Sequence, residues 1–237
     1  GKCFSQTGGN STFNFLKIPV SARSAATGGN LISANDSDIT LVIDNPSLLN
    51  AGMHNNFTLS YINYISDINL GYFGYARNFK KIGTIAAALH YFNYGKFTET
   101  DIYDQKLGEF TANDYSLNLS FSKKLHPQFL SGGTIKGIYS NLYENKSYGI
   151  AADLGGTFIS KNNSFIAALV FKNMGAQIKT YTANISESLP FEVQFGLSKK
   201  IKHAPIRLLY FLKNLQKWNL TTPAFLNSPF YTNLNDD

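Results

Sequence analysis

The side chains of this 237-residue chain that could do nucleophilic or acid–base chemistry lack the spacing that such chemistry needs. Ser120-Phe121-Ser122-Lys123 fits the S-x-x-K pattern, whose lysine must sit one helical turn from the serine. The surrounding residues alternate as a strand does, so Ser120 and Lys123 point to opposite faces. No G-x-S-x-G, H-E-x-x-H, Walker A or dinucleotide-binding fingerprint occurs. Of the four histidines, His54, His126 and His203 fall at or near strand ends, and only His90 lies in mid-strand. Without a serine and an acidic orienter beside it, His90 reads as a polar interior residue rather than a base. Cys3 is the single cysteine, which excludes a disulfide framework and a cysteine-based metal site. The expectation is a protein with no catalytic group and no cofactor.

The elements that would position these residues are strands. Tyr115, Leu117, Leu119 and Phe121 alternate with Asp114, Ser116, Asn118, Ser120 and Ser122, one parity apolar and the other polar. Lys123-Lys124-Leu125-His126-Pro127 breaks the pattern, and Phe129, Gly133, Ile135 and Tyr139 then alternate with Gly132, Thr134, Lys136 and Ser140. This is a strand, a basic turn and a returning strand, and each strand, at roughly ten residues, can cross a bilayer when tilted. The same period predicts strands near 55–65, 68–78, 83–95, 110–122, 128–141, 147–160, 164–173, 190–199 and 205–215. Phe191, Val193, Phe195 and Leu197 against Glu192, Gln194, Gly196 and Ser198 is the clearest case.

Composition agrees with alternating strands. Aromatics reach 14% and charged residues only 15%, against about a quarter in ordinary soluble domains. No run approaches the roughly 18 apolar residues of a spanning helix. A mean hydropathy of −0.14 does not argue against a membrane, because a transmembrane barrel confines its apolar residues to every second position. The net charge of +6 resides largely in Lys80-Lys81, Lys123-Lys124 and Lys199-Lys200, at strand breaks rather than on a helix face, which disfavours nucleic acid. With Lys161-Asn162-Asn163 these turns recur about every forty residues, the length of two spanning strands and their connections. All four fall at one end of the sheet, and the other end carries two long polar connections, Phe97 to Gly108 and Met174 to Pro190. Short turns at one end and long loops at the other predict an antiparallel outer-membrane β-barrel with its short turns in the periplasm; a soluble β-sandwich is the alternative.

The polar parity faces the barrel interior in this reading. Its ionisable members are Arg77, His90, Asp114, Lys136, Asp153, Glu192 and Arg207, with Lys213. Both signs occur without a ring of one sign, which predicts interior ion pairs rather than an ion-selective path.

Residues 1–6 read as the remnant of a signal peptide, residues 7–50 as a small plug entering the barrel mouth, and residues 51–237 as the barrel. The plug is rich in small residues; Ser21 to Ala26 predicts one or two helical turns, and Asn45-Pro46 a turn with a short helical turn at Ser47-Leu48-Leu49 behind it. Nine strands is an odd number and would leave an edge in lipid. The segment from Asn219 to Asp237 reads as a loop, so the expectation is an incomplete barrel whose C-terminal strands lie beyond this chain.

Several short stretches carry a resemblance. Gly8-Gly9-Asn10-Ser11-Thr12-Phe13, Pro19-Val20-Ser21-Ala22-Arg23-Ser24, Gly28-Gly29-Asn30 and Asp44-Asn45-Pro46 lie in the N-terminal segment. Asn93-Tyr94-Gly95-Lys96-Phe97, Lys172-Asn173-Met174-Gly175, Leu189-Pro190-Phe191-Glu192 and Leu215-Gln216-Lys217-Trp218 lie further on. Together they resemble the PorQ family of the type IX secretion system, and the Asn-Pro element also resembles the wider PorV and FadL-like barrel group. The resemblance implies a FadL-like outer-membrane barrel of Gram-negative bacteria. It also implies a non-catalytic role, anchoring the cell-surface attachment complex with the sortase PorU, the shuttle PorV and the lipopolysaccharide-binding PorZ. Arg23, Gly28, Gly29, Asp44, Asn45 and Pro46 are the plug residues it singles out. A FadL-like channel for hydrophobic small molecules, with the same plug as hatch, is the alternative.

Overall fold

A computed structural model describes residues 11–217 apart from 102, 104, 183 and 184. The signal-peptide remnant at 1–6 and the loop at 219–237 lie outside the described residues. Nine strands form one sheet in chain order, each antiparallel to the next. They are β1 (Asn56–Ile65), β2 (Ile68–Phe79), β3 (Gly83–Thr100), β4 (Lys106–His126), β5 (Phe129–Leu142), β6 (Asn145–Ile159), β7 (Phe165–Lys179), β8 (Glu192–Lys200) and β9 (Arg207–Leu212). The chain is therefore all-β, and among the described residues no helix is long and apolar enough to cross a membrane. β1 and β9 are the edges of the sheet.

The two faces of the sheet have inverted polarity. Ser116, Asn118, Ser120 and Ser122 of β4 are buried, whereas Leu117, Leu119 and Phe121 are exposed, Leu119 to 55%. The same holds for Thr134 and Lys136 against Ile135 on β5, and for Asp153 and Thr157 against Leu154 and Phe158 on β6. A sheet in water buries its apolar face and wets its polar one; this one does the opposite.

What covers the polar face is the N-terminal segment. Ser21 caps a five-residue helix α1 (Ala22–Ala26) by accepting a hydrogen bond from Ser24 N. A second short helix, α2 (Leu41–Asp44), runs into a 3-10 turn at Pro46–Leu48. Ile39, Val42, Leu49 and Met53 form an apolar cluster with Ala76 of β2 and Ala86 of β3, while Phe13, Phe15 and Leu16 pack with Tyr72, Phe92 and Ile138. At the far side Gly28 lies against Phe211 of β9, so the sheet wraps around the segment from β2 to β9.

The meander places the connections after β2, β4, β6 and β8 at one end. Lys80-Lys81 and Lys161 occupy these connections, whereas Lys123-Lys124 and Lys199-Lys200, expected as turns, lie within the last residues of β4 and β8. At the other end β3 and β4 run further than the alternation alone predicts. Phe97 pairs with Phe110 and Thr98 with Glu109, so most of the expected Phe97 to Gly108 loop is a two-stranded extension. Phe97 stacks on Phe110, and Phe110 meets Tyr143 at 4.5 Å, which gives the extension an aromatic spine. β7 likewise continues to Lys179 rather than ending near Asn173.

Candidate functional site

The polar contacts converge where the N-terminal segment meets β4 to β8. Asn45 is fully buried and all its polar atoms are engaged. Its Nδ2 donates to the Ile32 carbonyl at 2.8 Å and to Thr157 Oγ1 of β6 at 3.0 Å. Its Oδ1 accepts from Ser47 N and from Ser47 Oγ, at 3.0 and 2.7 Å. Ser47 Oγ in turn lies 2.7 Å from Thr157 Oγ1. Asn45 is thus both the cap of the 3-10 turn and its anchor on the sheet, while Pro46 supplies the fixed φ of the first helical position.

This turn comes so close to the sheet that two strand residues must lack a side chain. A Cβ on Gly132 would lie 2.5 Å from the Pro46 carbonyl carbon and oxygen, and one on Gly155 would overlap Asn45 Oδ1. The glycines form a flat seat on β5 and β6 into which the Asn-Pro turn is pressed.

Around this seat the inward charges fall into separate clusters. Lys136 Nζ lies 2.7 Å from Asp153 Oδ2 and donates to Asn173 Oδ1 at 2.8 Å, and Asn173 N donates to Asp153 Oδ1 at 2.7 Å. Asp114 accepts from Ser140 Oγ and from Tyr94 at 2.6 Å, and Tyr181 donates to Ser140 at 2.6 Å. Asp44 accepts from Ser24 Oγ at 2.8 Å and from Leu31 N at 3.2 Å, with Lys172 Nζ at 3.8 Å. Burial raises the Asp44 carboxyl above the usual carboxylate range, and the Lys172 ammonium and the Ser24 and Leu31 hydrogen bonds oppose that shift.

Two β-bulges lie beside these clusters. Between the Ala152/Met174 and Leu154/Phe171 pairs, Lys172 and Asn173 of β7 stand against the single residue Asp153 of β6. Both consequently turn inward, where strict alternation would send one of them out. Asn173 takes a left-handed φ of 56° to do so. On β3, Tyr94 and Gly95 stand against Ala112 between the Asn93/Asn113 and Lys96/Thr111 pairs; Tyr94 keeps the inward parity of His90 and Phe92 and from there reaches Asp114.

The remaining residues singled out by sequence take other positions. Arg23 is half-exposed and pairs with Asp36 at 2.6 Å and Asp38 at 3.4 Å; the hydrogen bond from Arg23 to Asp36 is the main reason its pKa is raised. Gly28 and Gly29 both adopt positive φ, 87° and 84°, after α1. His90 is buried with its ring 5.2 Å from that of Phe15, and neither ring nitrogen has a hydrogen-bond partner among the described residues. Glu192 is buried opposite Lys172 in the β7–β8 register. Arg207 sits at the lysine-turn end, donating to Ser198 Oγ at 2.9 Å and to the Asn163 carbonyl at 2.7 Å.

Arg77 is a correction. It lies on the exposed face with its guanidinium 5.4 Å from the Phe79 ring centroid, not among the interior charges. On β2 the plug makes the inner parity apolar, with Leu70, Tyr72 and Ala76 buried while Phe73 and Tyr75 are exposed, so polarity does not distinguish the faces there. Sequence reasoning also missed Lys172, Asn173, Tyr94, Ser47 and Thr157. A lysine breaking the apolar run Phe165 to Phe171 was the available signal for the first.

The S-x-x-K residues do not come together. Ser120 Oγ is spent on Thr134 Oγ1 at 2.7 Å, and Lys123 is exposed on the other side of the sheet. Among the described residues no group of three or more His, Cys, Asp or Glu side chains is placed to hold a metal ion. What the arrangement does is lock the N-terminal segment to the sheet. No family model, curated protein or solved structure matches this chain.

Proposed function

We propose that the chain is the wall and internal plug of an outer-membrane β-barrel that serves as a non-catalytic anchor for surface proteins. The observation that carries this reading is the inverted polarity of the sheet, exposed Leu117, Leu119, Ile135 and Leu154 outside and Ser120, Lys136 and Asp153 inside. In lipid the outer face is solvated by acyl chains, and the inner face is satisfied by the plug. On β5 and β6, Phe129 to Tyr139 and Tyr148 to Phe158 are each ten residues apart on that face. At about 3.3 Å per residue and a tilt near 40°, this is about 25 Å of membrane normal, the height of a barrel's apolar band.

Tyrosines mark one border of the band. Tyr91, Tyr115, Tyr139 and Tyr148 are paired in register across β3 to β6, with ring centroids 4.9, 6.0 and 5.1 Å apart. Amphipathic rings of this kind favour the membrane–water interface. The β3–β4 extension rises beyond them, a suitable platform for a surface partner. The resemblance to the PorQ family names those partners as PorU, PorV and PorZ of the type IX secretion system, with peptide chemistry left to PorU. Closure requires the β1 and β9 edges to be paired, because each exposed backbone group in lipid costs several kcal/mol.

A FadL-like channel would need an apolar, preformed cavity beside the plug. The cavity between Val42, Tyr72 and Ala86 holds only about 10 Å³. The larger spaces beside the plug, about 160 Å³ at Lys17, Lys172 and Glu192 and about 590 Å³ at Asn35, Asn50, Lys80 and Lys124, have polar and charged side chains in their walls, which favours the anchor. Affinity purification of the full-length protein from membranes tests the reading. PorU, PorV or PorZ should accompany it, and uptake of a long-chain fatty acid into liposomes that carry it, with none of them bound, would replace anchor by channel.

A further inference from the structure

The outer face is not uniform. Across β5 to β7 its outward positions Ser131, Gly133, Gly156 and Ala167 are small, and they floor a depression of about 640 Å³ walled by Phe121, Phe129, Leu154, Phe158, Phe171 and Phe195. Ala87, Gly137 and Ala152, small residues of the same face elsewhere, stand among bulky ones, whereas Ser131, Gly133, Gly156 and Ala167 adjoin. This is therefore a furrow in the band, wide enough for hydrocarbon and with no polar side chain beyond the Ser131 hydroxyl on its floor.

The furrow ends among lysines. Register runs from Lys123 to Ser131, to Gly156, to Leu169 and to Phe195, so Lys123 stands at the head of the row that crosses its floor. Lys199 pairs with Phe165 on the opposite flank, and Lys161 lies in the turn between, three residues after Phe158. All three are exposed, and no ion pair among the described residues engages them. The connections at this end, residues 80–82, 127–128, 160–164 and 201–206, contain no Asp or Glu. An apolar furrow thus opens onto uncompensated positive charge at the membrane border.

We propose that this is a seat for one anionic glycerophospholipid of the leaflet at the lysine-turn end. An acyl chain lies over Gly133, Gly156 and Ala167, and the phosphate is held by Lys161 and Lys199, which flank Phe165 at the turn; Lys123, four strands from Lys199 and so about 19 Å away, does not reach it. Charge complementarity selects the headgroup and the missing side chains select the chain. The inference rests on the membrane reading given above, since only a lipid-facing surface meets such a ligand.

Delipidated full-length protein in detergent is titrated with palmitoyl-oleoyl phosphatidylglycerol and with the matching phosphatidylcholine, and bound lipid is counted by native mass spectrometry. The wild type should bind phosphatidylglycerol at least about tenfold more tightly. The double variant Lys161→Gln, Lys199→Gln should lose that preference, whereas Lys123→Gln should keep it. Gly156→Leu, which fills the furrow, should weaken both lipids, whereas Gly137→Leu, at a site with open space around it, should change neither. Circular dichroism on each variant separates loss of the seat from loss of the fold. Equal binding of the two lipids by wild type overturns the proposal, as does a double variant that keeps its preference. So does a loss, in the double variant, of polyglutamate binding alone, which would assign the lysines to an acidic protein partner. Flotation of wild-type protein with vesicles isolates the underlying premise: protein that floats without preferring phosphatidylglycerol refutes only the seat, and protein that does not float refutes the membrane reading as well.

Discussion

Lys136 and Asp153 hold each other in a space that neither could occupy alone. Both are almost fully buried, 1% exposed each, and their 2.7 Å contact offsets the cost of taking two charges out of water. Lys136→Ala should therefore destabilise the protein by about 3–5 kcal/mol, because it strands the Asp153 carboxylate. Lys136→Met combined with Asp153→Leu should recover most of that loss; guanidinium midpoints read by circular dichroism in micelles distinguish the two. The Asn-Pro seat gives a second prediction at this scale. Gly155→Ala should cost about 1–3 kcal/mol by the same assay, since its Cβ collides with buried Asn45 and the sheet cannot yield freely. Alternation alone placed Lys136, Asp153 and Asp114 on the buried face. It missed Lys172 and Asn173 as a pair because a bulge, invisible in a two-residue period, turns consecutive side chains the same way. It misplaced Arg77 because the plug contributes Ile39 and Val42 to the β2–β3 interior and so erases the polarity contrast that reveals a face.

Strands are the elements that lipid acts on most simply. Leu119 projects from the middle of β4, so Leu119→Arg should cost about 2–4 kcal/mol in vesicles, where a charge at the bilayer centre has no water. A sheet whose exposed face met water would accept the same change almost without cost, so the size of the loss discriminates directly. The β3–β4 extension is independent of the interior. Replacing residues 98–108 by a two-residue turn should leave the unfolding midpoint almost unchanged, and, if partners dock there, it should abolish their co-purification. Nine strands were legible from period and turn chemistry, with ends within three residues for all but β3, β4 and β7, which run four to six residues further. Phe97 to Gly108 was not, because its threonines and glutamates look like a loop when the Phe97, Phe110 and Tyr143 stack that holds them in register comes from two strands and the β5–β6 turn.

At the scale of the whole molecule, the sheet wraps a segment whose own secondary structure is slight. Helices of four and five residues cannot stand alone in water, so the N-terminal segment owes its form to the surface it fills. The sheet owes its polar interior to that segment, so wall and plug depend on each other for folding. Sequence read the segment's turns and its role as a plug but not its contacts, since those with Gly132, Thr157, Gln194 and Ser198 join residues more than eighty positions apart. Every functional statement above depends on which solvent the outer face meets. Spin labels attached to single cysteines, introduced with Cys3→Ser, report this most directly when collision with oxygen is compared with collision with a water-soluble nickel chelate in vesicles. Labels at Leu119, Ile135 and Leu154 should meet oxygen and be shielded from nickel, labels at Ser120 and Thr134 should be shielded from both, and labels at Lys124 and Lys161 should meet nickel freely. Nickel access at Leu119 and Ile135 equal to that at Lys161 would contradict the account, for it would put water where the structure's inverted polarity calls for lipid.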